Sequence, residues 1–252
     1  MNRRTFLKTV PTFTILAASG ASSLGEDAGA ASGATEEAGT ASRPTHDLQL
    51  ITLAEPQKDG GKSVLAALWQ RRTIRNIRDE PLPPQMLSNL LWAAWGINRE
   101  HGPSGRVGRT AASASNSQEI DLYVVLPAGI YLYEAAGHRL IPVVAGDRRA
   151  KVRRGRRRSG ASAPVQLVYV ADLARYSQGR PQEPGLRDPE VQKSYYNIAT
   201  GLIAGNVYLF AASQGLAAWF HNCNKTGLAE ELKLRSDQHV LYAQTVGYPA
   251  QS

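Results

Sequence analysis

Between Tyr195 and Gln214 the chain reads YYNIATGLIAGNVYLFAASQ, without one charged residue, and then meets Gly215. Its apolar residues recur at helical spacing. Glycine is the residue that most readily adopts the left-handed conformation closing a helix. A helix apolar on more than one face cannot stand in water alone. Its Asn, Thr, Ser and Gly residues also break it up, and no apolar run in the chain approaches the roughly 18–20 residues that a membrane-spanning helix needs. The helix is therefore expected to lie buried against a sheet, with a second apolar face that a small monomer struggles to cover.

The remaining elements follow from periodicity. Lys62–Arg75 places Val64, Leu65, Leu68 and Trp69 at helical spacing, with Ser63 as a cap. A second helix is expected from Pro84 to Gly96, because proline suits a first helical turn. Residues 100–109 hold three glycines and a proline and read as a loop. Strands are expected over 120–126, 130–134 and 139–144, the last two joined by a hairpin at Ala135–His138. The apolar run 165–171 suits a central strand. A Pro/Gly loop over 181–189, a short helix over 230–234 and a final strand over 240–246 complete the chain. Strands and helices mix without regular alternation, so the expected class is α+β with a mostly antiparallel central sheet flanked by helices.

The net charge of +8 is local. Eight Lys and Arg residues fall between Arg148 and Arg158, and outside that run 21 basic residues balance 21 acidic ones. The run holds no aromatic residue on which a base could stack, which argues against nucleic acid as a partner. It reads as a solvated Arg-rich loop. With one cysteine, Cys223, there is no intrachain disulfide and no Cys-cluster metal site. The five histidines show no ligand spacing, and there is no GxSxG, HExxH, P-loop or GxGxxG signature, so no metal is expected.

Residues 2–8 read NRRTFLK, followed by the weakly apolar stretch Val10–Ala18. From Ala17 to Ser42, 21 of 26 residues are Ala, Gly, Ser or Thr. Arg3-Arg4 followed by Phe6-Leu7-Lys8 resembles a twin-arginine export signal. The expected organisation is a signal peptide over 1–30, an unstructured linker over 31–48 and a folded domain over 49–252. The location is periplasmic or otherwise outside the cytoplasm, reached through the twin-arginine translocase.

Two polar segments remain. Arg71-Arg72-Thr73-Ile74-Arg75 gathers three guanidiniums and a hydroxyl, a donor set suited to phosphate. The loop RTAASASNSQ (109–118) offers hydroxyls and amides to a polar ring edge. Taken in order, RRTIR, LLWAAWGIN, RTAASASNSQ, GIYLYEAAGHRL, APVQLVYVAD, GLIAGNVYLFAASQGLAA and VGYP resemble the FMN-dependent nitroreductase family, nearest to its SagB-type dehydrogenase branch.

The resemblance, which runs from about Val64 to Pro249, implies the nitroreductase-like fold and a set of roles. Arg71, Arg72 and Thr73 match the motif that holds the FMN phosphate, and Arg75 the basic residue at the flavin pyrimidine edge. Ser113 and Asn116 match the loop that bonds the isoalloxazine. Gly215 and Leu216 match the turn after the long helix, from which the chain to about Asn222 passes near flavin N5. The resemblance also implies a homodimer with flavin at the interface. Three departures stand out: Ala112 replaces the family's usual proline, the chain ends three residues after Gly-Tyr-Pro, and the run 148–158 has no counterpart. Proton-donor candidates are Tyr195, Tyr196, His221 and Lys225, and Trp92, Trp95 and Trp219 are assigned to the core. The expected activity is hydride transfer through FMN to a nitro, quinone-like or heterocyclic acceptor. The alternative is a non-catalytic exported protein that docks to anionic polymers through the basic segment.

Overall fold

The computed structural model describes residues 48–102, 105–153, 162–178 and 184–250. The expected signal peptide, nearly all of the linker and Arg154–Arg158 lie outside the described residues. Nine strands and five α-helices occur among them, in the order β1 (Ile51–Thr52), α1 (Val64–Gln70), α2 (Pro84–Trp95), β2 (Ile97–Arg99), β3 (Gly108–Arg109), β4 (Ile120–Leu126), β5 (Gly129–Glu134), β6 (Arg139–Ala145), β7 (Val165–Asp172), α3 (Ala174–Gln178), α4 (Pro189–Gln214), β8 (Ala217–His221), α5 (Lys225–Glu231) and β9 (Gln238–Gly247). Seven strands form one sheet in the order β1-β6-β5-β4-β7-β9-β8, and every neighbouring pair is antiparallel.

The sheet is covered on both faces. All eight residues of β7 are buried, as its nearly continuous apolar run requires of a central strand. Alternation along β4 sends Leu122 and Val124 into a core with Leu91 and Trp95 of α2 and Ile203 and Val207 of α4. Tyr123 and Val125 enter a second core with Leu228 of α5, Leu232 and Val152. Helix α4 is tied to the sheet by a buried polar chain. The Tyr169 hydroxyl donates to Gln244 Oε1 at 2.6 Å, and Gln244 Nε2 donates to the Ala204 carbonyl at 3.3 Å.

Several boundaries differ from the sequence reading. Helix α1 is capped by Ser63 as expected but stops at Gln70, not Arg75. The chain beyond is extended, because Ile74 N–H donates to the Ala218 carbonyl of β8, a bond a helix could not make. The expected loop 100–109 is not wholly loop, since its last two residues form β3, which pairs with β2 in a two-stranded ribbon. Helix α4 starts six residues before Tyr195: Pro189 occupies the first turn and the Asp188 side chain accepts from Glu190 N–H. Gly215 does close it, at φ 72°. Helix α5 spans 225–231 rather than 230–234, started by an Asn224 cap. Edge strand β8 carries no polar–apolar alternation and the sequence reading passed over it.

The reading of 148–158 as a solvated loop is corrected where the segment is described. Arg149 is buried and its guanidinium binds Asp79, Asp147 and the Ser162 and Ala163 carbonyls. Arg148 and Lys151 both pair with Glu231. The Arg149 charge is neutralised within the fold, because a nearly buried guanidinium needs carboxylates and carbonyls around it.

Candidate cofactor and substrate site

Beyond α1 the extended segment 71–75 lies between α4 and β8. Arg71 stands over the Tyr208 ring at 5.5 Å, the Thr73 hydroxyl meets the Tyr208 hydroxyl at 3.1 Å, and Arg75 stands over the Trp219 ring at 5.5 Å. Alternation of an extended chain places 71, 73 and 75 on one side and Arg72 on the other. Arg71, Arg72, Thr73 and Arg75 are all exposed. No ion pair among the described residues uses any of the three arginines. Tyr208 fixes the arrangement, since its hydroxyl also accepts Phe220 N–H at 2.8 Å. The sequence reading missed Tyr208. The signal was a phenol in the half of α4 that packs on the sheet, where its polar tip needs a partner.

Ser113 and Asn116 occupy a second, tightly braced loop. Ser115, Asn116 and Gln118 have φ of 48°, 53° and 54°, a region costly for residues other than glycine. Gln118 accounts for most of the bracing. Its N–H donates to Ser113 Oγ, its side-chain amide donates to the Val107 carbonyl and to Asn116 Oδ1, and its Oε1 accepts from Arg109 Nε at 2.7 Å. Arg175 donates to the Gln118 carbonyl and pairs with Asp121. Burial and the nearby Arg175 push the Arg109 guanidinium down to about 10, while its stack on Trp95 at 4.7 Å holds it in place.

Within one chain these two groups sit on different flanks of α4. Tyr208 receives the Arg71–Arg75 segment, whereas Asn206 Nδ2 donates to the Thr110 carbonyl at the start of the second loop. Positions 206 and 208 are about 200° apart around a helix. Between them runs a face where Ile198 and Leu202 are exposed and a side chain at Gly201 or Gly205 would meet no atom within 4 Å.

The other expected site residues divide. Gly215 is exposed, but the Leu216 side chain is buried in the core and its backbone N–H donates to the Ala211 carbonyl at 2.8 Å. Trp95 and Trp219 are buried as expected, and Trp92 is partly so. His221 fails as a proton donor. Its Nδ1 lies 2.8 Å from the Asn222 carbonyl, so that nitrogen carries the proton, and Nε2 accepts from Thr245 Oγ1 at 2.9 Å. Burial first, then Arg153, keep it neutral by lowering its pKa. Tyr195 and Tyr196 lie about 18–20 Å from Tyr208 along α4. Lys225 is exposed, its ammonium 5.0 Å from the Tyr242 ring centre, beside a cavity lined by Arg153, Asn222, Cys223 and Thr226. Cys223 is no nucleophile at neutral pH, since burial raises its thiol to about 11.

Comparison with known proteins agrees with this architecture. The nitroreductase family model matches residues 68–248. A curated protein of Methanocaldococcus jannaschii, provisionally assigned as a nitroreductase, is 27% identical over 157 residues, covering 59% of this chain and 73% of its own. The crystal structure of a provisionally assigned nitroreductase from Ralstonia eutropha JMP134 superposes with a TM-score of 0.68 at 36% identity, over 81% of this chain and 90% of that one. The E. coli microcin synthetase McbBCD complex with truncated pro-MccB17 shares the fold, with a TM-score of 0.60 at 16% identity over 72% of this chain and 70% of that one. With a family model spanning most of the folded part and a 36%-identical structure covered almost end to end, the chain belongs to the nitroreductase family, a family of oxidoreductases whose members typically carry flavin.

Proposed function

We propose that this protein is an exported FMN-dependent oxidoreductase, acting as a homodimer on a small nitro, quinone-like or heterocyclic acceptor. The observation that carries the reading is the Arg71–Arg75 segment. Exposed guanidiniums without a carboxylate partner among the described residues, next to a hydroxyl and two aromatic rings, match one terminal phosphate and so favour FMN over FAD. Arg71 and Thr73 would hold that phosphate, with Arg72 adding longer-range charge. Arg75 would place positive charge where a reduced, anionic ring needs it. Ser113 and Asn116 would supply hydroxyl and amide hydrogen bonds to the ring. FMN, when bound, supplies two-electron chemistry that no side chain can. The chain's own groups orient the partners, and Lys225 is the best-placed source of a proton. Protein purified in its natural state should be yellow and should bleach and recover with reductant and acceptor; colourless protein that takes up no FMN overturns the reading.

Two groups of flavin-matching residues on opposite flanks of α4 support a site completed by a second copy. The face between them is apolar. Trp69 is 88% exposed and Leu65 72%, and α1, which carries both, packs on α4, whose Ile198 and Leu202 are also exposed. Exposed large apolar side chains on two helices that pack together support an interface here. Leu202→Glu should convert the dimer to monomers in light scattering and release flavin with them. A variant that keeps both the dimer mass and its flavin would refute a composite site.

The export reading rests on Arg3-Arg4 and on the cofactor. FMN is made in the cytoplasm, and a protein that folds around it there needs a route that carries folded chains. Arg3→Lys with Arg4→Lys should leave flavin-loaded protein in the cytoplasm, as fractionation would show. Continued export of that double variant would overturn the assignment.

A further inference from the structure

The polar groups of the loop 109–118 all face one way, and Arg109 is the reason. We infer that Arg109 and Gln118 are positioning residues that make Ser113 and Asn116 hydrogen-bond donors toward the ligand, so that the loop selects an acceptor-bearing edge of the flavin ring and favours the reduced ring over the oxidised one. The inference rests on the flavin reading above and adds what sets the polarity of that contact.

A side-chain amide can face either way, and its neighbours decide which. A guanidinium carries donors and no acceptor. Arg109 Nε meets the Gln118 amide at 2.7 Å, so the atom it meets there must be the oxygen. Arg109 is itself held, since its Nη1 donates to the Trp95 carbonyl at 2.8 Å and its guanidinium carbon lies 4.7 Å from the Trp95 ring centre. Burial, then Arg175, lower its pKa to about 10, so it stays protonated at neutral pH. With its oxygen taken, Gln118 turns Nε2 the other way, where it donates to the Val107 carbonyl at 2.9 Å and to Asn116 Oδ1 at 3.0 Å. Asn116 therefore meets Gln118 through its oxygen. Its Nδ2 donates to the same Val107 carbonyl at 3.1 Å, and the second hydrogen of that nitrogen has no partner among the described residues. The reverse orientation would set one acceptor against the Val107 carbonyl and one donor against the Gln118 amide nitrogen.

The backbone of Gln118 does the same for Ser113. Its N–H donates to Ser113 Oγ at 3.0 Å, which leaves the hydroxyl hydrogen to donate. The Gln118 carbonyl accepts from Arg175 Nη1 at 2.6 Å, and Arg175 pairs with Asp121 of β4, so the loop is tied to the sheet. Gln118 is buried, whereas Ser113 and Asn116 are only partly so and remain open to a ligand. The left-handed backbone at Ser115, Asn116 and Gln118 is a conformation that persists only where the surroundings over-determine it. Two donors from one loop match an edge with two acceptors. The acceptor atoms of a reduced, anionic ring carry more negative charge than those of an oxidised one, and fixed donors bind most tightly where charge develops.

The test compares the native protein with Gln118→Glu, Asn116→Gly and the double variant. FMN affinity is read from fluorescence quenching, the midpoint potential from a redox titration of the bound flavin, and folding from thermal unfolding. Gln118→Glu keeps an acceptor for Arg109, which neutralises its charge, but has no donor for Asn116. Asn116→Gly deletes the amide where the backbone is left-handed, a conformation glycine adopts freely. Each single variant should lose about two- to tenfold in affinity, the scale of one neutral hydrogen bond. The double variant should lose no more than Asn116→Gly alone, because Gln118 acts through Asn116. Asn116→Gly should also lower the midpoint potential, by about 30 mV for each tenfold of preference for the reduced ring that is lost. Additive losses in the double variant would make Gln118 a general brace of the loop and overturn its role. An unchanged potential in Asn116→Gly would overturn the preference for the reduced ring. If Gln118→Glu does not fold, Asn116→Asp decides, with riboflavin as the probe so that no phosphate repels the new carboxylate. Binding weaker than in Asn116→Gly supports a donor at this position, and equal or tighter binding overturns it. Unchanged FMN affinity in Asn116→Gly would take the amide off the ring and leave the Arg71–Arg75 phosphate reading intact. A native protein that takes up no FMN would instead overturn the reading beneath.

Discussion

Arg71→Ala should lower FMN affinity about ten- to a hundredfold. The side chain stands over Tyr208 beside the Thr73 hydroxyl and has no ion-pair partner among the described residues, so its donors are available to a phosphate. Removing it deletes one charge-assisted hydrogen bond, worth about 1.5–3 kcal/mol, and about 1.4 kcal/mol is a factor of ten. Arg75→Ala should cost a similar factor from a different place, since Arg75 rests on Trp219 rather than Tyr208. Side chains without shared partners add approximately, so the double variant should lose about a hundred- to ten-thousandfold. Arg72→Ala is the internal control. It lies on the opposite side of the extended chain, and it should lose less than about tenfold because only longer-range charge is removed. Titration of apoprotein with FMN, followed by fluorescence quenching, gives all four constants. Unchanged affinity in the Arg71/Arg75 double variant would remove the phosphate from this segment.

Arg149→Ala should destabilise the fold by about 3 kcal/mol, although Arg149 touches no part of the proposed flavin site. Its side chain is 10% exposed and satisfies two carboxylates and two carbonyls. Truncation leaves the buried Ala163 carbonyl short of a donor and frees the segment that carries Val152 into the second core. For a domain of this size that corresponds to a drop of about 6–12 °C in Tm. Asp79 and Asp147 are each about half exposed, and water partly compensates them, which limits the loss. The pH dependence has a definite sign. The hydrogen bond from Arg149 holds the Asp147 carboxyl below the usual range. A depressed carboxylate contributes stability above its unfolded pKa of about 4, and that contribution is lost as pH falls through the lower folded value. The gap between native and Arg149→Ala proteins should therefore be widest at neutral pH and narrow below about pH 4. Thermal unfolding at both pH values checks this; a variant as stable as the native protein at pH 7 would show that the clamp contributes nothing.

Much of the molecule was legible before any coordinates. The uncharged run 195–214 required a helix against a sheet, Gly215 required its end, and the apolar run of β7 required a strand covered on both faces. Those features follow from local conformational preference and from the exclusion of apolar surface from water, both of which are properties of neighbouring residues. The RRTIR and RTAASASN segments were legible as donor sets for the same reason. What they could not contain was their relation to each other and to the rest of the chain. The extended conformation of 71–75 comes from a hydrogen bond to Ala218, well over a hundred residues away, and its sidedness decides which arginines face Tyr208 and Trp219. The separation of the two segments by α4 is set by which residues of that helix each one meets. The basic run 148–158 carries the same lesson from the opposite direction. Its composition suggested solvent, yet Asp79 and Glu231, from opposite ends of the domain, convert Arg148, Arg149 and Lys151 into structural ties and leave Arg153 at a cavity. Sequence determines which groups a chain owns and which local shapes they prefer; the partners that neutralise a charge or turn a side chain toward a pocket are non-local, and only the packed tertiary structure brings them within bonding distance.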